Sequence, residues 1–310
     1  MDDLPSSSYL TDLSPKDKPW DKHRGLAETV KGIYRLSEHD KLATRIGTCS
    51  NLLEFGLVSA ENNQQQFKLK STWFCRVRHC PVCQWRKSLK WRAKFFQAMP
   101  GIKAEYPTHR WIFLTLTVKN CDVKDMRSTI TDMNKAFKRL SERKTFPGVG
   151  WIRSLEVTRN RQTGQAHPHI HCLILVPSGY FGKSYIKATK WVERWQQCLR
   201  VDYPPVIDIK AVKGKTSDAD GMAAAVCETL KYTVKEEDLV VDADWLIELT
   251  YQLQGTRAVN IGGCLKKFMK PESENEDLVN IAETEDAKLP ESDISVYFGW
   301  KENIKRYKLK

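Results

Sequence analysis

No apolar run reaches the roughly 18 residues that a membrane-crossing helix requires, and the opening Met1-Asp2-Asp3-Leu4-Pro5 lacks the basic-then-apolar order of a secretory signal. A cytoplasmic protein without a membrane partner is therefore expected. The acids are unevenly spread and outnumbered elsewhere: residues 271–293 hold nine acids and one lysine, a net of −8, in a chain of net charge +12, which leaves +20 on the rest. That surplus points to a polyanionic partner, nucleic acid first, because phosphate neutralisation dominates non-specific affinity. Ten Trp and ten Tyr make base stacking available as well. The nine cysteines are odd in number. In a reducing compartment they argue against a disulfide framework and for metal ligation. At 310 residues the chain can bury one large or two small cores.

The stretch Gln165-Ala-His167-Pro-His169-Ile-His171-Cys-Leu-Ile-Leu-Val176 carries three of the seven histidines at alternate positions. Successive strand side chains point to opposite faces, so His167, His169 and His171 share one face, with Ile170, Cys172 and Ile174 on the other. Trp151 to Thr158 reads as a preceding strand, and Asn160-Arg161-Gln162-Thr163-Gly164 supplies the turn between them. If Arg161 and Gly164 close a four-residue turn, paired positions sum to 325 and Glu156 faces His169. Two imidazoles and one carboxylate then converge on a divalent ion, leaving part of its coordination shell open to water or substrate. His167, next to a proline near the strand's start, either lies outside the site or replaces Glu156 as third ligand.

A second constellation is Cys49 followed by Cys75-Arg-Val-Arg-His79-Cys80-Pro-Val-Cys83. The Cys80-x-x-Cys83 turn lets two thiolates bind one zinc. Cys75 and Cys49 complete a four-sulfur tetrahedron, with His79 as the alternative fourth ligand. Four protein ligands leave no open position, so this zinc is expected to be structural. Directly after it, Gln84 to Phe96 reads as a helix in which Arg86, Lys87, Lys90, Arg92 and Lys94 interleave with Trp85, Trp91, Phe95 and Phe96. Its outer face is expected to contact phosphates.

Elsewhere the patterns are coarser. Residues 1–24, with Ser6-Ser7-Ser8 and several prolines, read as a flexible arm, and Gly25 to Ile46 as a helix with a polar connection. Arg110 to Lys119 alternates as a strand with Thr115 and Thr117 on one face; 122–143 and Tyr185 to Leu199 read as helices, Val206 to Val212 as a strand, and Ala219 to Lys235 as a third helix. The order β-α-β-β-α-β, then α, is the split βαβ or ferredoxin-like plan: an α+β fold with an antiparallel sheet, helices mainly on one face and the other face free for a substrate. On the third helix Glu228 and Tyr232, four apart, share a face with Lys235 a turn further on. Residues 244–269 hold another helix, 271–293 are expected to be disordered, and 294–310 form a basic, aromatic tail. Gly182-Lys183-Ser184 follows a strand, but Pro177 stands where a phosphate loop needs its first glycine, which argues against ATP binding.

Phe113-Leu-Thr-Leu-Thr117, His167-Pro-His-Ile-His171, Glu228-x-x-Lys-Tyr232-x-x-Lys235 and the cysteine pattern together resemble the replication initiators of small rolling-circle plasmids, within the HUH endonuclease superfamily. The match runs from about Cys49 to Lys267. The resemblance implies a ferredoxin-like HUH nuclease core over 105–240, preceded by a helical and zinc-knuckle DNA-binding module over 25–104. Read from composition and pattern, and not from the resemblance, a helical extension over 241–270, an acidic linker over 271–293 and a basic tail over 294–310 follow. The resemblance also implies Mn²⁺ or Mg²⁺ at His169, His171 and Glu156, and Zn²⁺ at Cys49, Cys75, Cys80 and Cys83. Tyr232 would be the nucleophile that nicks one strand of origin DNA, at a single-stranded or hairpin site, leaving a 5′-phosphotyrosine and a free 3′-OH for a host polymerase. Glu228 would activate water for the terminating cleavage, Lys231 and Lys235 would hold phosphate or neutralise the pentavalent state, and a host helicase would assist. A single-tyrosine transposase or relaxase, and a non-catalytic zinc-dependent DNA-binding regulator, are the competing expectations.

Overall fold

Residues 8–59, 65–212, 219–231, 234–271, 277–281 and 294–310 are described by the computed structural model. In chain order the elements are α1 (Leu10–Leu13), α2 (Lys18–Arg35), α3 (Asp40–Thr48), β1 (Leu52–Ser59), β2 (Gln65–Ser71), α4 (Pro81–Glu105), β3 (Arg110–Thr117), α5 (Met126–Ser141), β4 (Gly150–Arg159), β5 (Ala166–Val176), α6 (Ala188–Leu199), β6 (Ile207–Ala211), α7 (Ala219–Thr229), α8 (Glu236–Leu239), α9 (Ala243–Leu253), β7 (Val259–Gly263), β8 (Ser295–Lys301) and β9 (Arg306–Leu309). They make a mixed α+β protein with two antiparallel sheets, divided into two units. Among the described residues no helix is long and apolar enough to cross a membrane.

The larger unit comprises residues 94–238 and 244–274. Its sheet has the order β6-β3-β5-β4-β7, every neighbour antiparallel. The first four of these strands, with α5 and α6 between them, follow the β-α-β-β-α-β order expected from the sequence. Helix α5 buries Met126, Ile130, Met133, Phe137 and Leu140, one stripe at helical spacing, and α6 buries Trp191, Trp195 and Cys198. These stripes cover one face of the sheet: the Phe137 ring meets Trp151 edge-on at 4.8 Å and lies under the Arg153 guanidinium. Across from Trp151 stands Gly262, where a Cβ would fall 2.1 Å from the indole, so only glycine lets β7 pair here. Ser154 and Glu156 of β4, His169 and His171 of β5, and Thr115 and Thr117 of β3 occupy the opposite face. That face is not left bare as the sequence suggested, because α7 packs on it: Val226 and Leu230 are buried, and the Ser154 hydroxyl donates to the Thr229 carbonyl. Helix α7 also stops at Thr229, short of the expected Lys235, and Val234 instead forms an isolated parallel bridge to Val157.

The smaller unit comprises residues 1–93, 239–243 and 275–310. Its sheet, β2-β1-β8-β9, joins the two ends of the sequence. Alternation makes it two-sided, with Leu53, Phe55, Val296, Phe298 and Tyr307 buried on one face. Trp20 of α2 fits against that side, edge-on to Tyr307 and Trp85, and the Tyr307 hydroxyl donates to the Ser50 carbonyl over 2.7 Å.

Three expectations change here for one reason, burial against partners distant in sequence. The arm expected over 1–24 is helical from Leu10, with Leu10 and Trp20 buried, and residues 1–7 lie outside the described residues. The basic tail over 294–310 is the strand pair β8 and β9. Within the acidic stretch, expected to be disordered, Leu278 is buried, whereas 272–276 and 282–293 lie outside the described residues. The helix expected over Gly25 to Ile46 is two helices, α2 and α3, broken around Ser37.

Candidate functional site

The β4–β5 hairpin sets the geometry. Asn160 takes the Gly164 amide onto its carbonyl and the Gln162 and Thr163 amides onto its side chain, and Gly164 adopts φ +73°, a conformation that costs glycine nothing. The resulting register pairs Glu156 with His169 and Ser154 with His171, as the turn chemistry predicts. One Glu156 oxygen, Oε2, stands 2.6 Å from Nε2 of His169 and 2.8 Å from Nε2 of His171.

The other ring nitrogens are engaged. Nδ1 of His169 is 3.2 Å from the His167 carbonyl, which can only accept, so Nδ1 carries the proton and donates it. In the neutral ring Nε2 is then a lone pair aimed at a carboxylate oxygen, an arrangement that calls for a cation or a proton between them. Nδ1 of His171 is 3.2 Å from the Thr115 hydroxyl, and its ring stacks on Phe113. The ligand atoms of Glu156, His169 and His171 lie within 4.8 Å of one another, close enough to share one ion.

Charge around the cluster is equally specific. When a proton and no metal stands between Nε2 and Oε2, burial pushes the Glu156 carboxyl up, but hydrogen bonds from His169 and His171 and the charges of protonated His169 and of Lys231 outweigh it and hold the carboxyl well below the usual carboxylate range. Burial lowers the His171 pKa despite the opposing Glu156 bond, which favours the neutral, ligating ring. Lys231, just past the end of α7, places Nζ 3.0 Å from Glu156 Oε2 and 2.6 Å from Glu228 Oε1. Burial lowers the Lys231 pKa, and the two carboxylates more than reverse it, so the ammonium is retained. Glu228 Oε1 is 3.8 Å from His171 Nε2.

Not every expected residue joins this group. His167 stays outside the trio: its Nδ1 is 2.6 Å from Asn120 Oδ1, and its backbone pairs with Thr158. Lys235 is exposed, and among the described residues no ion pair links it to the cluster. Tyr232 lies outside the described residues. Helix α7 ends at Thr229, and Leu230 and Lys231 have left it, so the helix expected as far as Lys235 is shorter; the pairing of Glu228 with Tyr232 lies outside the described residues. Three participants were not assigned from the sequence: Thr115, Asn120, and Lys231 as a partner of Glu156. Thr115 was accessible through register, because it pairs with His171 across β3 and β5.

In the smaller unit Cys49 ends α3, Cys75 follows β2, and Cys80 and Cys83 flank the first turn of α4. The four buried sulfurs lie within 4.8 Å of one another, with Sγ to Sγ distances of 3.7 Å (Cys49 to Cys83), 3.6 Å (Cys75 to Cys83) and 3.7 Å (Cys80 to Cys49). A tetrahedron with metal–sulfur bonds of about 2.3 Å has edges of about 3.8 Å, so the cage fits zinc. Backbone amides of Cys75, Arg76 and Val77 donate to Cys49, Cys83 and Cys75 sulfurs at 3.3 to 3.5 Å, which favours thiolates. The left-handed Arg76, φ +56°, turns the chain so that its amide can do this. Hydrogen bonds from the three neighbouring thiols hold Cys49 well below the ordinary thiol range, while burial and the surrounding sulfurs raise Cys80. The sulfur set is complete without His79, whose buried ring has no hydrogen-bond partner among the described residues and whose pKa is pushed down to about 3 by burial and by Arg78.

The basic helix departs from expectation. Arg86 is buried over Trp20 and Trp85, with Nε and Nη2 donating to the Leu278 carbonyl at 2.9 and 2.7 Å and Nη2 also to Val279. Lys90 donates to the Asn280 carbonyl. Arg86 is thus a structural cation and not a phosphate contact; sequence charge gave no sign that a segment some 190 residues away would claim it. Lys87, Arg92 and Lys94 are half-buried.

Comparison with known proteins adds the identity of the chain's relatives. A family model described as "Replication protein" matches residues 66–308. A "Protein rep" of Lactiplantibacillus plantarum is 34% identical over 283 residues, 86% of this chain and 87% of the relative. One from Streptococcus pneumoniae serotype 2 is 34% identical over 284 residues, covering 87% and 86%. One from Lentilactobacillus hilgardii is 30% identical over 317 residues, covering 97% and 99%. No solved structure matches the chain.

Proposed function

The chain belongs to the replication-protein family, and we propose that it initiates rolling-circle replication of a plasmid by nicking one strand of the origin through tyrosine attack. The observation that carries the reading is the convergence of Glu156 Oε2 with the Nε2 atoms of His169 and His171, beside a segment anchored to the same strand. Lys231 reaches Glu156 and Val234 bridges to Val157, so Tyr232 stands in sequence between two residues held at β4. The sheet order supports a ferredoxin-like HUH nuclease core, and the four-sulfur cage supports a separate structural Zn²⁺ module.

In this reading Glu156, His169 and His171 hold Mn²⁺ or Mg²⁺. The ion, when bound, supplies a Lewis acid that neutralises a non-bridging phosphate oxygen. The remaining work falls to the chain. Thr115 and the His167 carbonyl fix the two imidazoles so that their Nε2 lone pairs converge. A tyrosine hydroxyl has a solution pKa of about 10, so the Lys231 ammonium helps stabilise its phenolate. The Tyr232 oxygen attacks phosphorus, the bond to the 3′ oxygen breaks, and that oxygen leaves as a hydroxyl after taking up a proton. A 5′-phosphotyrosine and a primer 3′-OH result, which a host polymerase and helicase would use. Glu228, near His171 and half-exposed, is positioned to take a proton from water in the terminating cleavage.

The test uses a labelled single-stranded origin oligonucleotide on a denaturing gel beside the topology of replicated plasmid. Tyr232→Phe is expected to form neither nick nor adduct. Glu228→Ala is expected to keep the first nick and lose hydrolysis by ~10²–10⁴-fold, so that adduct accumulates and plasmid multimers appear. If Glu228→Ala loses the first nick as completely as Tyr232→Phe, the division of labour is wrong. If the wild-type protein binds the origin but forms no adduct with added Mn²⁺, the chain is a DNA-binding regulator.

A further inference from the structure

The sheet of the smaller unit has a second face that the cysteine cage and the core do not use. Pairing places Leu52, Glu54 and Gly56 of β1, Lys68 of β2, Ser295, Tyr297 and Gly299 of β8, and Lys308 of β9 on it. Tyr297 and Leu52 are each 41% exposed, whereas their neighbours Phe298 and Leu53 on the other face are fully buried. Lys301, exposed at the end of β8, continues the row, and Lys70 lies at the bulge in β2. Only one acid stands among these strand positions, Glu54, and it is already engaged by the Ser295 hydroxyl at 2.7 Å and by Lys70 at 3.9 Å. Gly56 and Gly299 add no side chain at the centre, where both are buried, and the stem of Lys310 lies over Gly299.

An exposed aromatic ring on a sheet face, with a lysine on either side and its single carboxylate neutralised, has the chemistry of a platform for unpaired bases. Every base offers a π-face to the ring while lysines follow the phosphates. A duplex keeps its bases stacked inside and leaves such a ring nothing to stack on. We propose that this face of β2-β1-β8-β9 binds single-stranded DNA, with Tyr297 stacking on a base and Lys68 and Lys308 holding backbone phosphates on either side. The proposal deepens the nicking function, since it rests on the chain acting where a strand has been opened.

The experiment measures binding and not cleavage. Full-length protein without added divalent ion is titrated against a fluorescent oligonucleotide of about 16 thymidines and, separately, against a hairpin duplex, by anisotropy at several salt concentrations. Tyr297→Ala is expected to weaken the thymidine oligonucleotide about five- to hundredfold, and Tyr297→Phe, which keeps the ring, to restore it. Lys68→Gln with Lys308→Gln should lower the salt slope by about 1.4, roughly 0.7 for each phosphate no longer held. Melting temperature and zinc content are measured on each variant, and a variant that fails to fold is replaced by Tyr297→Ser or by the single lysine changes. Unchanged single-strand affinity in folded variants overturns the proposal, and so does an equal loss on the duplex, which would make the face a general electrostatic surface. Nicking is scored in parallel. A wild-type protein that never nicks but loses single-strand affinity on Tyr297→Ala sinks the nicking reading and leaves this face standing.

Discussion

The two ligand clusters are built from opposite materials to opposite ends. The cysteine cage draws its sulfurs from a helix end, a strand exit and a helix start, and backbone amides aim at the sulfurs from within. All four ligands are buried and no position is left over. The Glu156, His169 and His171 cluster sits on two adjacent strands whose register alone aligns it, supplies only three ligands, and has the half-exposed Glu228 beside it. One cluster ties separate segments together, and the other is held by a sheet that is already complete. The metals proposed for them should accordingly differ in what their loss destroys.

The largest effect is expected from the open cluster. Replacing both His169 and His171 with alanine should lower strand cleavage by at least about 10³-fold, since two ligands of a Lewis acid worth several kcal/mol are removed. Duplex binding and the melting curve should change little, which gel shift and calorimetry would show. Substantial Mn²⁺-dependent cleavage by the double variant would erase the contrast. A smaller but global effect belongs to the cage. Cys80→Ser should cost about 3–5 kcal/mol of stability, because a structural zinc contributes folding free energy and its ligand is fully buried. Metal analysis should find zinc lost from the variant, and retained by the wild type under chelation mild enough to release the other ion. A zinc-free wild-type protein with an unaltered melting curve would contradict this.

The smallest effect concerns acid. His171 has a folded-state pKa below that of an unfolded histidine, so the unfolded chain binds the proton more readily. Its contribution to stability is intact above the ordinary imidazole value and is lost as pH falls through the lowered one. Glu156 follows the same sign further down: its benefit is present above the ordinary carboxylate value and disappears only in strong acid. Metal-free protein should thus begin to soften below the ordinary imidazole range, a step that His171 shares with the buried His79, and His171→Asn should reduce it while leaving the part due to His79. An unchanged pH profile in the variant would place the titrating group elsewhere.

Much of the open cluster was legible because its cause is local. A turn of Asn160 to Gly164 fixes a register, a register fixes which side chains face each other, and Glu156 opposite His169 follows without knowledge of the rest. The cysteine cage was legible because the Cys80-x-x-Cys83 turn brings half the ligands together by itself. What escaped depends on distant partners. Ser295 and Glu54 touch across 241 residues of sequence, so β8 and β9 read as a tail. Arg86 looks like a phosphate contact until Leu278 is seen to bury it. The alanine-rich α7 carries no glycine or proline near its end, yet it stops at Thr229, and Val234 beyond it bridges to Val157, a tertiary pairing that no local signal announces.

The pairing of β1 with β8, and of Tyr9 with Lys308, has a consequence for how the protein is made. On a ribosome the first strands emerge long before their partners, and β1 must wait with one edge unpaired until residues 295–301 have left the exit tunnel. The five strands of the other sheet all lie between those two events and can pair in the meantime. Translation therefore runs in an order that lets the unit with the Glu156, His169 and His171 cluster assemble first and completes the cysteine-bearing unit last. A message cut short anywhere before β9 yields a chain with an open sheet edge, a target for degradation and not a partial initiator.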